Sequence, residues 1–188
     1  MTTSASPEGH GLRTALEGTR SVAWQAGQAI PAPLRLFSPT VGPDWVDYND
    51  HMSESCFLLA FGEQSDAFFR FIGIDEAYRA AGHSLFTVQT MLFNLAEAHL
   101  GDRLELSLQL LDADAKRLHI FHAMHKAGTG ELLATAEQML LHVDTVAGRA
   151  APMPPDLIER IEAVRTAHAS LPRPPQAGRT IAIQGRPS

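Results

Sequence analysis

SESCFLLAFGEQSDAFFRFIG, residues Ser53 to Gly73, places Phe57, Ala60, Phe61, Ala67, Phe68, Phe71 and Ile72 at three- and four-residue spacings. That period gathers the apolar side chains on one face of an α-helix, and Gly73 stops the pattern. At about 1.5 Å of rise per residue the helix is about 28 Å long. A short helical turn, Asp75 to Ala81, follows and ends at Gly82. Four strand candidates come next with no second long helix between them: Ser84 to Ala96, Arg103 to Leu111, Lys116 to Lys126 and Leu132 to Val143. In the second, Leu104, Leu106, Leu108 and Leu110 alternate with Glu105, Ser107 and Gln109, a period of two that puts the leucines on one face. Ala113-Asp114-Ala115 and Gly128-Thr129-Gly130 are short enough for antiparallel hairpins. Strands of this length, at about 3.3 Å per residue, match the helix. The pattern therefore predicts an α+β fold in which an antiparallel sheet wraps round a long central helix.

Upstream, Leu34 to Phe37 opens a short strand that runs toward Val41 and breaks at Gly42-Pro43, before a loop, Trp45 to Met52, with aromatic flanks. Downstream, Pro154-Pro155 starts a final helix that reaches about Ala169. Residues 1–32 show no sustained periodicity and read as a flexible N-terminal arm, with Val22 and Trp24 docking locally. Residues 169–188 are rich in Pro and Gly and read as a tail with too little apolar surface to order itself alone. Function is expected between residues 33 and 168.

A chain of 188 residues with 45% hydrophobic content suits one domain with a sizeable core. The net charge of −6, with 15 basic against 21 acidic residues and no basic run, disfavours nucleic acid as a partner. The lone cysteine, Cys56, excludes an intramolecular disulfide and fits a reducing compartment. Residues 1–20 lack the apolar core of a signal peptide, and no stretch is long enough to cross a bilayer. A cytoplasmic location, away from membranes, is the expectation.

The segment Asp47-Tyr48-Asn49-Asp50-His51-Met52 just before the long helix, together with the order of elements, resembles the 4-hydroxybenzoyl-CoA thioesterase branch of the hotdog superfamily over about residues 33–168. Trp45 to Asn49, Lys116 to His119 and Ala134 to Asp144 look like the betainyl-CoA thioesterases of carnitine catabolism within it. The resemblance implies a hotdog fold and hydrolysis of an acyl-CoA, with coenzyme A as part of the substrate and no separate cofactor. It further implies a homodimer or a homotetramer built as a dimer of dimers, with the active site at a subunit interface, and it places Asp47 at the position of the nucleophile or general base. The sequence departs from the family at Asp50, where Gly is usual, and at Gln89, where Glu is expected. A Gly position implies an unusual backbone conformation, which Asp adopts at a cost on the order of 1 kcal/mol.

Thioester hydrolysis needs a group that attacks or activates water, donors for the oxyanion, and a slot for pantetheine. Asp47 lies just upstream of a helix N-terminus, whose unpaired N–H groups, from Met52 and Ser53 onward, are candidate oxyanion donors. The plain alternative is a loop aspartate that caps the helix, a role for which Asp50 and Ser53 compete. Asn49 either orients water or a carbonyl or only shapes the loop. His51 either takes part in proton transfer or faces solvent. Trp45, Tyr48 and Phe86 are candidates for an aromatic lining around a quaternary ammonium, with Gln89 nearby and core packing as the alternative for Phe86. Lys116 and Arg117 either hold the CoA phosphates or form a solvated pair. Cys56 reads as a small buried side chain. His119, His122 and His125 do not converge from one strand, because His122 points opposite to the others, so no metal site is expected. Two rival functions remain: an acyl-CoA-binding module disabled by Asp50 and Gln89, and an enoyl-CoA hydratase. The hydratase pattern has four residues between its Asp and His, against three between Asp47 and His51.

Overall fold

The computed structural model describes residues 23–183. The long helix is α1, Glu54–Phe71, followed by α2, Glu76–Ala80. Four long strands come next: β1 His83–Asn94, β2 Leu104–Ala113, β3 Arg117–Lys126 and β4 Leu132–Asp144. A two-residue β5, Arg149–Ala150, and the helix α3, Pro155–His168, complete the order. The strands lie side by side as β1-β4-β3-β2, each antiparallel to its neighbour.

Period two decides what faces the helix. Leu118, Ile120, His122 and Met124 of β3 turn inward beside their partners Leu140, Gln138, Ala136 and Ala134 of β4. The alternating leucines Leu104, Leu106, Leu108 and Leu110 are all buried, as their spacing predicts. The helix answers with Phe57, Ala60, Phe61, Phe68 and Ile72, and burial of each large apolar side chain contributes about 1.5–3 kcal/mol. This core has two parts. One surrounds the first half of α1 with Phe57, Phe61, Leu104, Leu106 and Met124. The other surrounds its second half with Phe68, Ile72, Leu108, Leu118 and Ile120, and is closed by Leu157, Ile161 and Val164 of α3. Buried Gln64, Ser65, His122 and Gln138 form a polar belt whose members are linked at Ser65, His122 and Gln138.

Residues 34–41 do not form the regular strand that their sequence suggests. They run beside β2 through two isolated bridges, Leu34 with Leu108 and Thr40 with Arg103. Pro39 accepts from the Leu104 amide but has no N–H to return, so the ladder cannot continue through it. This segment nevertheless covers the β2 edge. The opposite edge, along β1, has no strand partner among the described residues.

Residues 23–32, read from the sequence as part of a flexible arm with local docking at Trp24, make specific contacts there and further along. The Trp24 amide donates to the Phe71 carbonyl at 2.9 Å, and Ile30 packs on the second core cluster. Nε2 of His168 lies 3.1 Å from the Pro31 carbonyl, while its Nδ1 accepts from the Leu110 amide. Val22 lies outside the described residues. The tail crosses the outer face of the sheet, where the Gly178 amide donates to Glu137 at 2.7 Å. No helix among the described residues is long and apolar enough to cross a membrane.

Candidate active site

The loop before α1 closes as a small hairpin, with Val46 bridged to Met52. Inside it the Asp47 amide donates to the His51 carbonyl at 2.9 Å and the Asp50 amide to the Asp47 carbonyl at 3.1 Å. So tight a turn needs a left-handed residue, and Asp50 supplies it at φ 63°, the one non-glycine residue with positive φ among those described. The unusual backbone expected at this position is therefore present, and Asp holds it in place of Gly.

Asp47 is half-buried, and one of its carboxylate oxygens, Oδ1, accepts from the Asn49 amide at 2.8 Å. Its other oxygen has no partner among the described residues. Asn49 thus orients Asp47 through its backbone, and its own side chain is exposed. His51 sits with Nε2 3.3 Å from Glu97 Oε2.

The helix start differs from the expectation in one respect. The Met52 amide donates to the Ala98 carbonyl at 2.7 Å and the Ser53 amide to the Trp45 carbonyl at 2.8 Å, so neither is available to an oxyanion. These bonds fix the loop to the body of the fold. The amides of Glu54 and Ser55, the next two along the chain, have no acceptor among the described residues. Ser53 is the N-cap residue but makes no side-chain cap; its hydroxyl lies 3.2 Å from that of Ser55. The helix N-terminus, its positive dipole end, is therefore open two residues beyond the hairpin that carries Asp47.

The other expected residues divide by place. Trp45 sits in a 3-10 turn, Pro43–Trp45, half-buried against the first core cluster, and Tyr48 projects from the loop at 94% exposure. Phe86 pairs with Leu141, which pairs with Arg117, so Phe86, Lys116 and Arg117 lie at the end of the sheet remote from the Asp47 loop. Gln89 lies between those ends and pairs with Met139, whose side of the sheet faces away from α1. Within one chain none of these four reaches Asp47, because the sequence period fixes a face but not an end of the sheet. Arg117 is also engaged nearby: its guanidinium binds Asp114 and holds that carboxyl down to about 2. Lys116 lends its amide to the same carboxylate.

Cys56 is buried in the first core cluster, as expected. His122 turns inward, opposite to His119 and His125; His119 meets Glu137 at 2.6 Å on the outer face. Period two puts Glu137 and Gln138 on opposite faces of β4, and Gln138 is the one turned inward. Of the amides expected from Met52 and Ser53 onward, those of Glu54 and Ser55 are the ones left open; sequence reading missed the Glu97 partner of His51. The free amides follow from helix-start rules once the cap is known; nothing local in sequence ties Glu97 to His51.

The thioesterase-like superfamily model matches residues 41–161. A carnitine dehydrogenase/betainyl-CoA thioesterase of Rhizobium meliloti is 47% identical over 149 residues, which are 79% of this chain and 30% of that protein. This chain thus spans under a third of the fused relative. A betainyl-CoA thioesterase of Pseudomonas aeruginosa is 44% identical over 80% of this chain and 95% of its own length. A Staphylococcus aureus protein solved in complex with CoA superposes with a TM-score of 0.73 at 27% identity, over 83% of this chain and 99% of that one. With the family model covering residues 41–161 and a fold shared with that solved structure, the chain belongs to the thioesterase-like superfamily of hotdog fold.

Proposed function

We propose that this protein hydrolyses a short acyl-CoA, with betainyl-CoA first among its substrates and Asp47 as nucleophile or general base. The observation that carries the reading is the pairing of a half-buried carboxylate that keeps one oxygen free with an uncapped helix N-terminus two residues beyond its hairpin. The carbonyl carbon gains an oxygen, from water or first from Asp47, and the C–S bond breaks to release CoA thiol. Negative charge that develops on the carbonyl oxygen is stabilised by the Glu54 and Ser55 amides, and loss of one such donor typically costs about 100- to 1000-fold in rate. The relatives named for betainyl-CoA support a cationic acyl group. Tyr48 and Trp45 offer aromatic faces for it, at about 0.5–2 kcal/mol per cation–π contact.

The active unit is a homodimer joined through β1. This strand is twelve residues long, lacks a partner on one side, and exposes Phe86 by 53% and Val88 by 56%, a surface that invites pairing. A two-fold axis normal to the sheet sets two β1 strands antiparallel, which brings the Phe86 end of one beside the Asn94 end of the other. That step carries Phe86 toward an Asp47 loop, which one chain alone does not do. Val88→Asp is expected to yield monomers in analytical ultracentrifugation, which also reads any homotetramer formed by two dimers.

The deciding assay follows thiol release from betainyl-CoA and from neutral short and aromatic acyl-CoAs. Asp47→Asn is expected to lower kcat at least about 100-fold on the best substrate. Near-normal turnover in that variant removes Asp47 from the mechanism. A preference of more than about tenfold for neutral substrates, equal to about 1.4 kcal/mol, removes the cation site.

A further inference from the structure

His51, Glu97 and His99 come from two segments far apart in sequence, and one hydrogen bond brings them together. The Met52 amide donates to the Ala98 carbonyl at 2.7 Å. Met52 and Ala98 are both buried, at 4% and 0% exposure, so the residues that flank them turn to the surface at one spot. There one donor atom from each of the three side chains lies within 4.8 Å of the others. His51 Nε2 and Glu97 Oε2 are 3.3 Å apart, and the His51 and His99 rings meet edge to face at 5.0 Å.

We propose that these three residues form a binding site for a divalent transition-metal ion of the zinc class. Two imidazoles and a carboxylate suit Zn²⁺, Co²⁺, Ni²⁺ or Cu²⁺ better than Mg²⁺ or Ca²⁺, which prefer all-oxygen shells. Ligand bonds of about 2.0–2.2 Å require donors a little over 3 Å apart. The His51–Glu97 pair already has that spacing, and rotation of the exposed His99 ring closes the rest. His99 is backed by Asp102, which accepts its amide at 2.9 Å, lies 3.9 Å from its Nδ1, and is itself held by Lys126 at 2.7 Å. At 3.9 Å Asp102 is short of a hydrogen bond to the ring, but it is placed to serve as the carboxylate behind the imidazole once His99 turns to the metal. Three protein donors leave at least one coordination position for water or an exogenous ligand, as in open rather than closed zinc sites. The sequence expectation of no metal considered three histidines of one strand; this site is assembled across segments and stands whether or not the chain hydrolyses thioesters.

The test is equilibrium dialysis of the full-length, untagged protein against zinc, with cobalt substitution followed by visible absorption. One ion per chain is expected, with tetrahedral Co²⁺ bands. Asp102→Asn should weaken binding by about 10- to 100-fold, and His99→Ala and Glu97→Gln should each weaken it by more than about 100-fold. All three changes lie on side chains that carry no core packing, and circular dichroism verifies folding. If His99→Ala does not fold, Glu97→Gln alone decides. Absence of zinc binding by the wild type, or undiminished binding in a folded His99→Ala or Glu97→Gln variant, overturns the proposal.

Discussion

The buried belt of Ser65, His122 and Gln138 meets α1 at Ser65 and the exposed loop around Asp47 leads into its start, with about 16 Å of helix between them. On distances alone the belt looks more like an enzyme. Its hydroxyl lies 3.3 Å from an imidazole nitrogen, which lies 3.1 Å from an amide oxygen. Yet His122 Nε2 faces Gln138 Oε1, an acceptor, because the Gln138 amino group donates to Thr90. The imidazole must therefore present its hydrogen there and cannot take a proton from Ser65. Burial also pushes the ring down to about 4, so it stays neutral. The loop has a plainer set of residues, but it keeps a carboxylate oxygen and two amides uncommitted at the surface. Uncommitted donors and access, more than residue type, separate a site from a structural network.

The largest expected effect breaks this contrast if it fails. Asp47→Asn should lose at least about 100-fold in kcat while its denaturation midpoint stays near that of the wild type. Ser65→Ala should do the reverse, with turnover near normal and stability lower by about 1 kcal/mol for the lost hydrogen bond. A folded Ser65→Ala protein as inactive as Asp47→Asn would make the belt catalytic.

A pH series sharpens the same point. His122 has its proton affinity lowered in the fold, from 6.5 to about 4. The unfolded chain therefore takes up a proton that the native state refuses. Stability from this residue is fully present above pH 6.5 and is lost as pH falls from there toward 4, by no more than about 3 kcal/mol. His142 and His168, also lowered chiefly by burial, add in the same direction. Urea titrations between pH 7 and 4 should show this slope, and His122→Gln should flatten part of it. An unchanged slope in that variant would mean that His122 is already charged or solvated.

Gln64 tests whether the belt is sealed. It is fully buried, and neither its amide nitrogen nor its oxygen has a hydrogen-bond partner among the described residues. An unpaired buried amide costs on the order of 1–3 kcal/mol, so Gln64→Met, similar in volume and free of that demand, should gain about 1 kcal/mol in urea with little change in turnover. Loss of activity without a gain in stability would place Gln64 on a path to substrate or partner.

Much of the frame was legible because periodicity is a local signal. The spacing from Phe57 to Ile72 marked α1, and the leucines of β2 marked its buried face. The rest depends on long-range pairing. Opposed faces for Glu137 and Gln138 follow from period two, but the sign does not, and it is set by which side α1 covers. Lys116 and Arg117 lie at the hairpin where their sequence puts them, but nothing local says that β3 starts at the end of the sheet remote from Asp47. Glu97 meets His51 only through the register of one backbone bond to Ala98.

Asp50 carries the smallest expected effect and the sharpest reading of the loop. Its φ of 63° costs an L-residue energy that glycine avoids, and no side-chain bond of Asp50 among the described residues offsets it. Glycine also gains freedom in the unfolded chain, which works against the substitution. The net expectation for Asp50→Gly is a gain of less than about 1 kcal/mol, read as a higher urea midpoint at constant slope, with kcat little changed. Asp50→Val, β-branched and poorly suited to this region, should lose at least about 1 kcal/mol. If glycine instead lowers the midpoint, the Asp50 side chain is holding the hairpin that orients Asp47, and the carboxylate becomes part of the site's support rather than a tolerated departure from the family.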